Sequence, residues 1–145
     1  MGIKNAEEEG NFCAYCGLDA IEEMFVQVKQ SVALSLSIVY IERDASLLRV
    51  PYSDTNAGDP ESGIIHGGVV TILLDSAGGC AVLSLTPNDH NIAALDLRID
   101  YLQPAKKDED IRGFAECCTR THNLAFVRGV ADHEDQADHV VNFIA

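Results

Sequence analysis

The chain has 145 residues, of which 47% are hydrophobic, and its formal net charge is -13 with only 10 lysines and arginines. This length and apolar content predict one globular domain with a core of its own. The acidic balance argues against nucleic acid as a partner, because such binding depends on neutralising phosphates with Lys and Arg. The sequence has no apolar run that could span a bilayer and no signal-peptide pattern, so we expect a cytoplasmic protein that does not bind membranes.

Residues 1–17 are acidic and short of core residues, and we expect them to form a flexible arm before a single domain over residues 18–145. The arm contains Cys13 and Cys16 in a CxxC motif. A structural zinc site needs four ligands, and no second pair stands at ligand spacing, so we predict neither a bound metal nor a separate cofactor. The odd total of five cysteines favours a reducing compartment.

The first part of the domain shows two changes of hydrophobic period. Apolar residues recur every three or four positions over Leu18–Ala33, which predicts a helix. Near-alternation over Leu34–Ile41, a break, and a second run over Leu47–Val50 predict two strands of a hairpin. The stretch Tyr52–Gly63 is rich in Gly, Pro, Asn and Asp and is therefore predicted to be a loop.

A second helix is predicted over residues 67–85, where an almost wholly apolar segment is followed by Pro87. A helix that is apolar nearly all round belongs inside a protein, and its small residues would let a sheet approach closely. Four strand-like runs follow, at 92–102, 111–121, 124–132 and 138–144. The simplest arrangement is an α+β fold in which an antiparallel sheet of about six strands wraps around this central helix, with an additional N-terminal helix.

Three motifs occur together in this order. His66-Gly67-Gly68 opens the central helix, Asp75 stands nine residues after His66, and residues 96–105 read DLRIDYLQPA. From residue 34 onwards the chain resembles the hotdog-fold acyl-CoA thioesterases of the phenylacetic-acid-degradation type. The resemblance implies a hotdog fold, a homodimer or a dimer of dimers, and hydrolysis of an acyl-CoA thioester in which coenzyme A belongs to the substrate.

The residues also supply this chemistry on their own. Backbone N–H groups at a helix start are unpaired and glycine admits a close ligand, so Gly67 is the expected oxyanion donor. Asp75 is the expected general base or nucleophile. Eight residues of helix separate the two by about 12 Å, too far to touch one carbonyl. Two antiparallel helices across a two-fold axis would pair Gly67 of one chain with Asp75 of the other. Alternatively, Asp75 is a structural carboxylate capped at a dimer interface.

Several positions besides Gly67 and Asp75 are expected to contact the substrate. We predict that His66 caps the helix through its ring, although it remains a candidate catalytic residue. Pro60 stands where many of these thioesterases have an Asn, and Ala94 stands where many have a hydroxyl. The residues that could contact or hold the substrate are Asn56, Gly68, Thr71, Ser76 and Ala94, with Leu74 and Ala77 lining an acyl tunnel.

Coenzyme A phosphates would need a local positive site on this acidic chain. Lys106, Lys107 and Arg120 are the candidates, and the alternative is that the basic residues here pair with Asp108, Glu109 and Asp110. The four histidines at 90, 122, 133 and 139 lack metal-ligand spacing and are expected to be at the surface or partly buried. Two other functions stay open, namely acyl-CoA binding without hydrolysis and a hydratase or dehydratase, although no local motif supports the latter.

Overall fold

The computed structural model describes residues 18–86, 91–134 and 139–145. The predicted arm over residues 1–17, its CxxC motif and Pro87 lie outside them. The described part contains three α-helices and six strands, which in chain order are α1 (Leu18–Gln27), α2 (Lys29–Ala33), β1 (Ser37–Glu42), β2 (Ala45–Val50), α3 (Gly67–Leu83), β3 (Arg98–Tyr101), β4 (Ile111–Arg120), β5 (Ala125–Asp132) and β6 (Val141–Ile144).

The strands form one antiparallel sheet in the order β1-β2-β4-β5-β6-β3. β3 is therefore an edge strand, paired only with β6 although it precedes β4 in sequence. The sheet packs around α3, mainly through β2, β4 and β5. The predicted six-stranded sheet around a central helix, with additional helical structure before it, is confirmed.

Several element boundaries differ from the prediction, and three of the differences have a clear physical reason. The helix predicted over residues 18–33 is broken at Val28, whose extended backbone separates α1 from α2. α3 ends at Leu83, where the Ser84 hydroxyl donates to the Ala81 carbonyl. The strand predicted over 92–102 is reduced to Arg98–Tyr101, because the neighbouring β6 offers only four residues for pairing.

The core lies between α3 and the concave face of the sheet. Leu73, Leu74 and Ala77 of α3 have no exposed surface. A Cβ added to Gly113 of β4 would lie 2.8 Å from Leu73, so this glycine allows the closest approach, whereas one added to Gly78 of α3 would make ordinary contacts of 3.5 Å. Small residues on both sides thus allow the close packing, Gly113 on the sheet and the buried Ala77 and Gly78 on the helix.

The opposite face of α3 is incompletely covered within one chain. Thr71, Ile72 and Ser76 are only half-buried, and Asp75 is exposed. The sheet reaches one side of the helix, while the segment 92–97 passes near the other side. The expectation that α3 is buried on all sides is therefore wrong for the isolated chain.

Candidate functional site

The start of α3 is capped by the residue before it. His66 has an extended backbone, and its Nδ1 accepts a hydrogen bond of 2.9 Å from the Gly68 N–H. The predicted capping role is confirmed, and because Nδ1 accepts, the ring proton lies on Nε2. A Cβ on Gly68 would come within 2.9 Å of the same Nδ1, so the second glycine leaves room for the ring.

The loop before α3 is fastened to the rest of the domain by backbone hydrogen bonds. The His66 N–H donates to the Asn56 carbonyl at 2.8 Å, and the Ile65 N–H donates to the Ala105 carbonyl at 3.3 Å. Asn56 itself is buried. These bonds hold His66 in place, and they join the helix start to the segment that follows β3.

The Gly67 carbonyl accepts hydrogen bonds from two hydroxyl groups. The Tyr101 hydroxyl donates to it at 2.8 Å, and the Thr71 Oγ1 donates at 3.1 Å. The two hydroxyl oxygens are themselves 3.1 Å apart. Thr71 was a predicted site residue, whereas Tyr101 was missed. Alternation along β3 could have indicated it, because Tyr101 shares a strand face with the half-buried Ile99.

The Gly67 N–H, in contrast, has no acceptor among the residues that the structure describes. Gly67 lines a cavity of about 300 Å³ whose walls are mostly apolar and include Ile64, Val70 and Pro104. The start of a helix carries unpaired N–H groups and a partial positive charge, which favour a ligand oxygen with negative charge. This end of α3 can therefore stabilise an oxyanion.

Asp75 lies two turns further along α3, about 12 Å from Gly67. It is exposed, and no described residue makes a hydrogen bond or ion pair with it. It lines a second cavity, of about 340 Å³, together with Thr71, Ile72 and the segment 94–97. Within one chain, the structure does not bring Asp75 and Gly67 together.

The remaining predicted residues are spread over the helix and the loop. Ala94 lines the cavity of Asp75, but Asn56 and Ser76 line neither cavity. Leu74 and Ala77, the expected walls of an acyl tunnel, are fully buried in the core. Pro60 lies in a turn closed by the Gly63 N–H, which donates to the Asp59 carbonyl at 2.8 Å.

The family follows from comparison with known proteins. The model of the thioesterase superfamily matches residues 62–138, more than half of the chain and the part that contains α3. The chain belongs to the thioesterase superfamily. Its six-stranded sheet around one helix is the hotdog fold of that family.

Similar proteins agree with this assignment. A solved structure from Pseudomonas aeruginosa is 34% identical, with a TM-score of 0.78 over 88% of this chain and 94% of that one. The E. coli PaaI protein of the phenylacetic acid degradation operon is 18% identical with a TM-score of 0.73 over 85% of each chain, a likeness of fold. A provisionally named esterase of Halobacterium salinarum is 46% identical over 65 residues, or 42% of each chain. The chain spans less than two thirds of the curated relatives that it matches.

Most cations of this thioesterase-superfamily chain are already paired. Lys106 lies 3.8 Å from Glu109, and Arg120 donates to the Leu85 carbonyl. Lys107 has no ion pair with any carboxylate that the structure describes, and its stem lies against Gly63. Of the predicted phosphate-binding residues, Lys107 is thus the one with its charge available. Four arginines pair with acidic residues on the sheet or beside it, namely Arg49, Arg98, Arg112 and Arg128.

His133 corrects the expectation that it lies at the surface or is partly buried, because it is fully buried. Its Nε2 accepts from the Lys106 N–H at 3.0 Å, and its Nδ1 lies 2.8 Å from the Asp110 carbonyl oxygen, to which it donates. The ring therefore ties the turn 106–110 to the end of β5. It was missed because a residue just after a strand gives no periodic signal of burial.

Asp110 anchors the same turn to the loop before α3. Its carboxylate accepts from the Tyr52 N–H at 2.8 Å and from the Arg49 guanidinium. These two bonds, with the backbone bond first, hold the pKa of Asp110 below its usual value. Across the described ranges, no group of three His, Cys, Asp or Glu side chains could hold a metal ion. Over the same ranges, no helix is both long and apolar enough to cross a bilayer.

Proposed function

We propose that the protein is an acyl-CoA thioesterase whose two equivalent sites are each shared between two copies of the chain. One observation carries the proposal: an unpaired N–H at Gly67 and an unpaired carboxylate at Asp75 lie on one helix, about 12 Å apart. Each group suits one half of thioester hydrolysis. Two helices packed antiparallel would bring the two halves together.

Gly67 supplies the oxyanion donor. The thioester carbonyl oxygen points at its N–H, where the partial positive charge of the helix start stabilises the negative charge that develops. The neighbouring cavity, with walls such as Val70 and Leu102, has the apolar lining that an acyl group needs. His66 and Tyr101 hold this end of the helix from either side.

Asp75 of the second copy completes the reaction. As a general base it takes a proton from water while the water oxygen attacks the thioester carbon; the carbon–sulfur bond then breaks and the thiolate of coenzyme A leaves, to be protonated. As a nucleophile its carboxylate attacks the carbon first, the carbon–sulfur bond breaks and the thiolate of coenzyme A leaves to be protonated; water then hydrolyses the resulting mixed anhydride to the free acid and regenerates the Asp75 carboxylate. Both routes give free acid and coenzyme A.

The uncovered surface of the chain supports pairing with a second copy. β3 is an unpaired sheet edge, and large apolar side chains on it or just before and after it are exposed: Leu95 by 83%, Tyr101 by 52% and Leu102 by 57%. Exposed edges and apolar patches are features that proteins usually cover. A second chain here would also approach the open face of α3. We propose further that two such pairs associate into a tetramer.

Of the three predicted phosphate-binding residues, Lys107 is the one that we propose binds the phosphates of coenzyme A. Its side chain lies over Gly63, next to the loop that enters α3. Lys106 is paired with Glu109, and Arg120 donates to the Leu85 carbonyl. Each can bind a phosphate only if it gives up that interaction.

The test is free-thiol release from acyl-CoA esters with aromatic, medium and long acyl groups. We expect turnover on at least one class, and a loss of about a hundredfold or more in Asp75→Asn with binding retained. Asp19→Asn in the first turn of α1 makes the same chemical change on an exposed residue and is expected to keep full turnover.

One observation favours the second candidate, acyl-CoA binding without hydrolysis. Pro60 replaces an amide side chain, and the nearby Asn56 is buried and lines neither cavity. The described loop before α3 therefore brings no amide side chain to either cavity to hold water. Tight, saturable acyl-CoA binding with no thiol release from any ester would contradict the thioesterase proposal and establish this one.

A further inference from the structure

In the reaction as proposed, Tyr101 contacts no reacting atom, although its hydroxyl lies at the oxyanion end of α3. We propose that Tyr101 is a positioning residue. It fixes the Gly67–Gly68 peptide group and so restrains rotation at Gly67, whose own N–H lies in the preceding peptide group, held by the Val69 N–H that donates to the His66 carbonyl at 2.9 Å. This proposal rests on the thioesterase function for its effect on turnover. Its effect on the geometry of the helix start is independent of that function.

The peptide group between Gly67 and Gly68 is held at both of its polar atoms. Its carbonyl oxygen accepts from the Tyr101 hydroxyl at 2.8 Å and from Thr71 at 3.1 Å. Its N–H donates to the His66 ring at 2.9 Å. Because a peptide group is planar, fixing the oxygen and the N–H fixes the whole plane.

The aromatic ring adds a steric restraint at the same point. A Cβ built on Gly67 would lie 3.2 Å from the Tyr101 hydroxyl oxygen and 3.4 Å from its Cζ. The ring therefore occupies the space that a side chain at position 67 would take. Glycine is the most flexible residue, and an oxyanion donor works best when its direction is set before the reaction. Tyr101 supplies from β3 the restraint that Gly67 lacks.

A positioning role predicts a particular kinetic signature. Tyr101→Phe keeps the ring and removes one of the two hydroxyl groups on the Gly67 carbonyl. We expect kcat to fall about tenfold, less than the loss caused by removing an oxyanion donor outright, with KM changed less than twofold. Thr71→Val removes the other hydroxyl and is expected to lower kcat in the same way. The two losses should not add, because both hydroxyls act on one oxygen.

The matched control is Tyr40→Phe. Tyr40 lies in β1 opposite Leu47 of β2, and it makes none of the hydrogen bonds that hold the start of α3. It should leave kcat and KM unchanged. A rise in KM with unchanged kcat in Tyr101→Phe would overturn the proposal and make Tyr101 a wall of the substrate cavity.

A second measurement needs no substrate. Labelling with [¹⁵N]glycine gives at most 11 glycine amide signals, and Gly67→Ala and Gly68→Ala would assign two of them. We expect Tyr101→Phe to shift both signals and to speed amide exchange at Gly68, with no change in Tyr40→Phe. Unchanged Gly67 and Gly68 signals in Tyr101→Phe would overturn the proposal. If the unmodified chain shows no turnover, the thioesterase function fails, and these signals alone decide whether Tyr101 orders the peptide.

Discussion

The two ends of the candidate site differ in how far one chain completes them. At Gly67, the flanking polar groups are bonded to His66, Thr71, Tyr101 or the preceding loop, and the Gly67 N–H has no acceptor in the described chain. At Asp75, the carboxylate stands exposed on an open helix face with no partner in the described chain. The Gly67 end is preorganised by contacts within the chain, whereas the Asp75 end lacks such contacts and remains open to a second protein surface.

This difference indicates which parts of the function belong to the fold and which belong to assembly. The oxyanion end needs precise geometry, and it is held by β3, by the loop before α3 and by the segment that follows β3. The carboxylate end needs burial and a neighbouring thioester, and a second copy would provide both. A chain of this kind should fold alone but react only as a pair.

The largest expected effect comes from removing the Gly67 N–H, which has no acceptor among the described residues. Gly67→Pro deletes that N–H at the first helical position, where proline is well tolerated, and His66 already has the ψ of 133° that a residue before proline prefers. We expect thiol release to fall by about a hundredfold or more. Gly67→Ala adds a Cβ near Tyr101 but keeps the N–H, so it should lose less than about tenfold.

Gly67→Pro also tests whether the Gly67 and the Asp75 of one site come from different chains. Gly67→Pro and Asp75→Asn chains carrying different tags are co-expressed, and mixed pairs are purified through both tags. One of the two sites in such a pair has neither defect, so turnover should return to about half that of the unmodified pair. Pairs of either single variant should stay inactive. No recovery in mixed pairs would show that both groups act within one chain.

A smaller effect concerns stability at the oxyanion end. His133→Phe keeps an aromatic ring in the buried position but leaves the Lys106 N–H and the Asp110 carbonyl without partners. We expect the free energy of unfolding to fall by about 2–4 kcal/mol, measured by urea denaturation. The same change at the exposed His122 should cost less than about 0.5 kcal/mol. A loss below about 1 kcal/mol at His133 would show that the turn 106–110 holds its place without the ring.

The sequence predicted the local parts of the site and missed the long-range ones. The helix start, the His66 cap and the axial separation of Gly67 from Asp75 depend on residues close together in the chain, and a pattern can indicate them. The Tyr101–Gly67 bond joins residues 34 apart, and the contacts of His133 join residues 23 and 27 apart. The Tyr101 contact depends on the placement of β3 beside β6, and the His133 contacts depend on the register of β4 against β5; no local pattern indicates either.

Burial was misjudged for a related reason. The apolar content of α3 correctly predicted a central helix, but one sheet covers only one of its faces. Asp75 thus needs no partner in the isolated chain, whereas a helix enclosed on all sides would require one. The apolar face around Asp75 is consistent with coverage by a second copy, and the mixed-pair experiment tests that coverage directly.

The smallest expected effect is a dependence of stability on pH. It would distinguish the Gly67 end of the site, which is held by contacts within the chain, from the Asp75 end, which is not. The pKa of Asp110 is lowered by the Tyr52 N–H and by Arg49, so this carboxylate stabilises the folded state. That contribution is full above the unfolded pKa of about 3.9 and is lost as the pH falls through the lower folded value. Because the Asp110 side chain is 36% exposed, we expect it to amount to less than about 1 kcal/mol.

Urea denaturation of the unmodified chain and of Asp110→Asn between pH 2 and pH 6 measures this contribution. The difference in unfolding free energy should be largest near pH 6 and should shrink towards the acid end, because protonated Asp110 also loses its charged bonds. Asp75→Asn is the control, since Asp75 has no partner in the described chain whose loss could destabilise it. Equal stability of Asp110→Asn and the unmodified chain at every pH would mean that the loop holds the helix start without this anchor. A stability loss in Asp75→Asn that depends on protein concentration would instead locate Asp75 in the contact between two copies, because only an associating surface makes stability depend on concentration.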